Sequence, residues 1–238
     1  MSFPFNVYLA AIVSSCLTTA LTLPLWRNWC LRTGLVDDPG HRKIHHKPVP
    51  LAGGLAVMTG LLVPIVLGAL VLLWQFAGAS RHLISPLADN PGSISPLDSN
   101  AAFLLHYGFN RRATELTGIL LGALGMLLVG WLDDKIELNP RAKFIGQFVI
   151  AALVAASGVR ITLFVPNVVF HYAVTILWIL TVINAFNFMD NMNGLCTGLG
   201  AIGAWYFAVL AAGAGQYLVA LIAFLAFGAL LGFLPYNF

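Results

Sequence analysis

Three short stretches concentrate the residues that could do chemistry. "LLVGWLDDKIELNP", Leu127 to Pro140, ends a long apolar run with two adjacent carboxylates, Asp133 and Asp134, followed by Lys135. "GLVDDPGHRKIHHKPVPLAGGLAV", Gly34 to Val57, crowds Arg42, Lys43, Lys47 and the histidines His41, His45 and His46 into a turn limited by Pro39 and Pro50, then closes on Gly53-Gly54. "NAFNFMDNMNGLCTGLG", Asn184 to Gly200, brings Asn184, Asn187, Asp190, Asn191 and Asn193 close together in and beside apolar sequence. Hard oxygen donors beside cations suit Mg²⁺ and phosphate groups, whereas zinc would call for a Cys/His quartet. Phosphoryl transfer asks of a protein mainly charge neutralisation and in-line positioning, which such groups can supply.

Each stretch taken alone has an ordinary reading. Asp133 and Asp134 could be a solvated helix end paired with Lys135, since carboxylates at a membrane edge cost less than at midplane. The basic loop could merely meet anionic headgroups. Its histidines and double glycine exceed that need, because glycines let a backbone approach a ligand closely. Spacings of three from Asn184 to Asn187 to Asp190 put polar groups on one helical face. Capping would use one or two of them, and burying the rest without partners would cost a few kcal/mol each. They are therefore expected to meet one another, water, a metal or a ligand.

The elements that must position these groups are membrane helices. With 59% hydrophobic and 9% charged residues, the chain has more apolar surface than a soluble domain could bury, since globular proteins run about 25% charged. A spanning helix needs roughly 20 mostly apolar residues. Segments near 5–26, 49–77, 114–132, 144–159, 170–189, 195–213 and 217–235 qualify, the fourth being the shortest. The runs lack the alternation of a barrel strand. The expected fold is all-α: a polytopic integral membrane protein of about seven transmembrane helices in a single transmembrane domain over 1–238.

No basic residue precedes the first apolar run and Arg27 and Arg32 follow it, so it reads as a retained helix with its N-terminus outside. Basic residues favour the same orientation. Arg27, Arg32, Arg42, Lys43, Lys47, Lys135, Arg141 and Lys143 fall on the side reached after spans one, three, five and seven, against Arg81, Arg111, Arg112 and Arg160 on the other. The first side is expected to be cytoplasmic, and it carries all three motif loops. Residues 78–113, rich in Ser, Pro, Asn and Asp, are expected to form an external loop. Cys16, Cys30 and Cys196 lack metal-ligand spacing and read as small core residues.

Read together, "D-D-P-x-x-R-K-I-H-x-K-P-V-P-x-x-G-G", "G-W-L-D-D-K-x-x-L-x-P-x-x-K-F-x-x-Q" and "N-A-F-N-F-M-D-N-M-N-G-L" resemble, in order and spacing, the three cytoplasmic signatures of the polyprenyl-phosphate N-acetylhexosamine-1-phosphate transferases. The first motif is more similar to the branch that takes UDP-N-acetylglucosamine onto undecaprenyl phosphate than to the branch that takes UDP-N-acetylmuramoyl pentapeptide. The resemblance implies transfer of a sugar 1-phosphate from a UDP-sugar to a polyprenyl phosphate lipid, with release of UMP, in a bacterial cytoplasmic membrane for cell-envelope polysaccharide synthesis. It implies Mg²⁺, with Mn²⁺ as a substitute, and admits a homodimer; no nucleic-acid partner is expected. Asp133 and Asp134 match the catalytic carboxylates at the reacting phosphates, with Asp133 the candidate to deprotonate or orient the lipid phosphate. Asn187 matches a metal-side asparagine, and Asp190 and Asn193 match the loop near the nucleotide. Lys47, with Arg42, Lys43 and His45, would meet phosphate charge.

Two departures accompany the resemblance. Asn193 stands where the bacterial pattern usually has aspartate, keeping an oxygen acceptor and losing the charge. "GFLPYNF", Gly232 to Phe238, resembles the entry to a further cytoplasmic loop whose aspartate binds magnesium, so the chain is expected to correspond to the N-terminal portion of the transferase domain and to be inactive or nearly so by itself. An inactive remnant or an ion-coupled transporter subunit is the alternative. A transporter would predict polar groups near midplane in broken helices.

Overall fold

In the computed structural model, residues 5–37, 49–84, 99–136, 138–190 and 192–237 are described. Their elements, in chain order, are α1 (Phe5–Thr33), β1 (Val36–Asp37), β2 (Val49–Pro50), α2 (Gly53–Ile84), α3 (Ser99–Ile136), α4 (Pro140–Ala156), α5 (Val168–Met189), α6 (Leu195–Gly213) and α7 (Tyr217–Phe233), with a 3₁₀ turn at Leu234–Tyr236. The all-α fold expected from the apolar runs is what the chain adopts. Six of the helices, all but α4, are long and apolar enough to cross a membrane. α4 has 17 residues, about 25 Å at 1.5 Å per residue and short of a hydrocarbon layer of about 30 Å, whereas α7 together with its 3₁₀ turn runs for 20 residues.

The helix ends differ from the expected segments for local reasons. α4 begins at Pro140, four residues before the apolar run. Asn139 caps it by accepting from the Arg141 amide at 3.2 Å, and Pro140 takes the first helical position, where no amide hydrogen is needed. The loop expected over 78–113 is helical at both ends, because α2 continues to Ile84 and α3 starts at Ser99. Within α3 the helix is interrupted at Arg112 (φ −119°, ψ 16°). The sequence before this break, SNAAFLLHYGFNR, is largely apolar and supplies Ala101 and Leu105 to the core, so this end of the segment expected as loop is helix.

The chain divides into two compact units, one of residues 1–22, 57–111 and 197–236, the other of 23–56, 112–196 and 237–238. In the first unit small residues let helices meet at backbone distance. A Cβ on Gly228 or Gly232 would overlap the backbone of Ile12 or Cys16, the kind of close approach that replaces the hydrophobic effect in lipid. The Ser15 hydroxyl, fully buried, donates to the Leu225 carbonyl at 2.6 Å with the Gly60 carbonyl 2.9 Å away. Tyr8, Ala101, Leu105, Ala208, Ala220 and Phe224 form the core beside it.

In the second unit α3 and α4 pack through a matching stripe: Gly118, Gly122 and Gly125 face Ser157, Val154 and Ile150. On α4 the buried face is Gln147, Ala151 and Ala155, a strict four-residue spacing that keeps one row of side chains turned inward. α5 is capped by Asn167, whose side chain accepts from the Val169 and Phe170 amides. The Thr175 hydroxyl ties the preceding turn to α5 by accepting from the Ile161 amide at 2.9 Å. The three cysteines are free thiols, Cys30 buried and the other two half-buried.

Candidate active site

Every candidate residue among those described falls in the second unit. Asp133 and Asp134 occupy the last turn of α3, Asn187 the last turn of α5, Asp190 the residue that ends α5, and Asn193 the turn before α6. Arg42, Lys43, His45 and Lys47 lie outside the described residues. The ends of their segment are fixed, however. Gly34 adopts φ +70° just beyond α1, β1 pairs antiparallel with β2 through Val36↔Pro50 and Asp37↔Val49, and the Leu51 amide donates to the Leu35 carbonyl at 3.2 Å.

The start of α2 is set against α3. A Cβ on Gly54 would lie 3.1 Å from Leu127 Cδ1, so this glycine lets the two helices pack closely. Leu127 is six residues, or about 9 Å along the helix, before Asp133. The base of the basic loop and the paired aspartates therefore belong to the same end of the unit.

Two side chains of α4 complete the arrangement. Lys143 Nζ donates to Asp133 Oδ2 at 2.7 Å, both side chains about one-quarter exposed, a charge-assisted bond between neighbouring helix ends. One turn on, Gln147 is buried, and its Oε1 accepts from Asn184 Nδ2 of α5 at 2.9 Å. Lys143 and Gln147 stand four residues apart and thus share a face. They bring the C-terminal ends of α3 and α5 to the N-terminal end of α4. The ordinary pairing of the aspartates with Lys135 gives way for Asp133, whose partner is Lys143, while the Lys135 ammonium lies over the Trp131 ring, 4.9 Å from its centroid.

Of the polar row on α5, Asn184 meets a protein partner. Asn184, Asn187, Asp190 and Asn193 are all exposed, so the cost of burying unpaired amides does not fall on them. Asp190 is open to solvent on one side, yet the surrounding protein mass desolvates its carboxyl and raises it above the ordinary carboxylate range. Among the described residues no three His, Cys, Asp or Glu side chains come together as a metal cluster. Asp133, Asp134 and the Asn187 amide oxygen nevertheless match in kind what a hard divalent cation takes, a partial set beside the six ligands Mg²⁺ prefers.

Lys143 and Gln147 are fixed positions of the second motif, to which the sequence alone gave no role at the site. Their spacing carries a further signal, since Lys143, Gln147, Ala151 and Ala155 continue one row of α4. A cation and an amide on the inward row of a membrane helix require partners.

Fold and site define a multi-pass helical membrane protein that collects carboxylates, amides and a lysine at one end of a helical unit. The chain belongs to glycosyl transferase family 4, whose sequence profile matches residues 116–238. It is 28% identical over 236 residues to a probable undecaprenyl-phosphate N-acetylglucosaminyl 1-phosphate transferase of Bacillus subtilis, covering 96% of this chain and 55% of that protein. It is 27% identical over 248 aligned positions to a decaprenyl-phosphate N-acetylglucosaminephosphotransferase of Mycobacterium tuberculosis, covering 97% and 53%. A phospho-N-acetylmuramoyl-pentapeptide-transferase of Geobacillus kaustophilus is 38% identical over 138 residues, covering 50% and 43%. The chain spans about half the length of the curated relatives it matches.

Proposed function

We propose that this protein takes part in transferring N-acetylhexosamine 1-phosphate from a UDP-sugar to a membrane polyprenyl phosphate, releasing UMP, in the synthesis of cell-envelope polysaccharide. The observation that carries the reading is the Lys143–Asp133 contact, which joins two parts of one motif at the end of the unit that also holds Asn187, Asp190 and Asn193. Alignment with N-acetylglucosaminyl 1-phosphate transferases over nearly the whole chain supports N-acetylglucosamine as the sugar. The site faces the cytoplasm of a bacterial inner membrane, where UDP-sugars are made.

In the reaction an oxygen of the lipid phosphate attacks the β-phosphorus of the UDP-sugar. The new P–O bond joins lipid and sugar phosphates, and the bond from the β-phosphorus to the bridging oxygen breaks, so that UMP departs with that oxygen. Asp133 orients the lipid phosphate or takes its proton, and Lys143 fixes the carboxylate from one side by the 2.7 Å bond. Asp134, adjacent on the helix end, lies at the reacting phosphates. Asp190 and Asn193 hold the nucleotide, and Arg42, Lys43, His45 and Lys47 supply positive charge to the diphosphate. Asn187 would hold a divalent cation, Mg²⁺ or Mn²⁺, whose contribution is to neutralise charge on the transferring phosphoryl group.

The transporter alternative predicted broken helices with polar groups at midplane. α5, which carries the asparagine row, is a continuous helix over Val168–Met189, and the row lies at its end.

The test is UMP release from UDP-N-acetylglucosamine, with undecaprenyl phosphate and Mg²⁺, in native membranes containing the protein. Asp133→Asn removes one carboxylate oxygen at constant volume and is expected to lower release by about a hundredfold, the scale of losing one oriented electrostatic contact. Equal release from the substituted protein would remove the assignment of Asp133.

A further inference from the structure

We propose that Gln147 is a positioning residue, whose buried amide sets the register of the cytoplasmic end of α5 against α4 and so places Asn187 relative to Asp133. The inference rests on the transferase reading for its catalytic consequence and on geometry for the rest. Gln147 is 4% exposed, in the middle of a helix most of whose outward residues are apolar and exposed. An amide removed from water in that setting costs free energy unless it is bonded.

The bond it makes has a defined direction. Asn184 Nδ2 donates to the Leu180 carbonyl at 2.9 Å, and a carbonyl can only accept, so the nitrogen end of the Asn184 amide is fixed by its own helix. The second hydrogen of that nitrogen is donated to Gln147 Oε1, also at 2.9 Å. The chain thus runs from Gln147 to the Asn184 amide to the backbone of α5, without a freely rotating hydroxyl in it. Asn187 lies three residues beyond Asn184, on the same face of the helix. A change in the Gln147–Asn184 contact therefore displaces the turn carrying Asn187.

The opposite anchor is on the same α4 face. Lys143 holds Asp133 one turn before Gln147 holds Asn184. With both bonds made, the carboxylate of α3 and the asparagine row of α5 are referred to one rigid helix. Sub-ångström placement of reacting groups is what phosphoryl transfer draws on, and outer-shell partners of this kind typically change activity by about 10- to 100-fold when removed.

The experiment compares Gln147→Met, which keeps length and removes the acceptor, with Gln147→Glu, which presents an acceptor oxygen in either protonation state. In the UMP-release assay Gln147→Met is expected to lower kcat by roughly tenfold with little change in KM for the UDP-sugar, and Gln147→Glu to restore most of it. Adding Asn184→Leu to Gln147→Met is expected to cost less than the two separate losses combined, since one contact is being removed twice. Hydrogen exchange over 184–190 is expected to accelerate in Gln147→Met and not in Gln147→Glu. Equal kcat in all three proteins, or additive losses, would overturn the proposal. If wild-type membranes release no UMP, the chain does not carry out the transfer by itself, and the exchange measurement still decides: protection lost in Gln147→Met and kept in Gln147→Glu supports the positioning role, and unchanged protection overturns it.

Discussion

Asp133 and Asp190 show how differently two carboxylates near one membrane edge are treated. Asp133 has an ammonium group 2.7 Å away, so its charge is compensated locally. Asp190 ends α5, and the protein around it raises its carboxyl above the usual range through desolvation. In the unfolded chain such a group releases its proton near pH 3.9. Between that value and the raised native one, the folded state binds more protons than the unfolded state, so this residue's contribution to stability falls as pH rises. Relative to Asp190→Asn, the wild-type protein should be equal in thermal midpoint below about pH 3.9 and should fall behind as pH increases through the native value. A midpoint difference that stays constant with pH, or that favours wild type at higher pH, would show that desolvation does not govern this group.

The elements divide into those that periodicity could find and those it could not. The seven helices of the described residues coincide with apolar runs, and for the six long enough to cross a bilayer the reason is that such a segment must satisfy its backbone internally and show lipid a hydrophobic surface. β1 and β2 are two residues each, held by backbone pairing that leaves no side-chain pattern, so the tie at the base of the basic loop was illegible. The start of α4 is set by Asn139-Pro140, a capping signal outside the apolar run, and the first part of α3 directly follows the Ser-, Pro- and Asn-rich stretch whose composition reads as loop. Asp133, Asp190 and the asparagines were legible because polar groups stand out in apolar sequence. Their partners Lys143 and Gln147 stand in the second motif, but which groups they meet follows only from the α4 row that carries both. The α3–α4 contact makes a prediction of its own. A methyl group on Gly122 would overlap the Val154 side chain, whereas Gly130, on the same helix, has nothing within 4 Å of the corresponding point. Gly122→Ala should therefore lose about 1–3 kcal/mol by overpacking, seen as a lower thermal midpoint in detergent. Gly130→Ala should gain up to about 1 kcal/mol from helix propensity. Equal shifts for the two would mean that the glycine stripe is not a packing surface.

At the scale of the whole molecule, the function proposed here depends on which side of the membrane the site faces. α5 separates two exposed positions, Phe164 in the turn before it and Asn193 in the turn after it. Its 22 residues extend about 33 Å, enough to cross the hydrocarbon layer once. If α5 spans, the two positions lie on opposite sides, and the excess of basic residues in the motif loops predicts Asn193 on the cytoplasmic one. A membrane-impermeant thiol reagent applied to intact cells should label Phe164→Cys, and should label Asn193→Cys only after the membrane is opened. Cys16, Cys30 and Cys196 give the background, measured on the parent chain. This pattern would place Asp133, Lys143 and Asn187 on the side where UDP-sugars are made, since they share one end of the second unit with Asn193. The reverse pattern would put those groups across the membrane from the nucleotide and would remove the transferase reading at the level of access, whatever the geometry of the individual side chains. Labelling of both positions from outside would mean that α5 does not span.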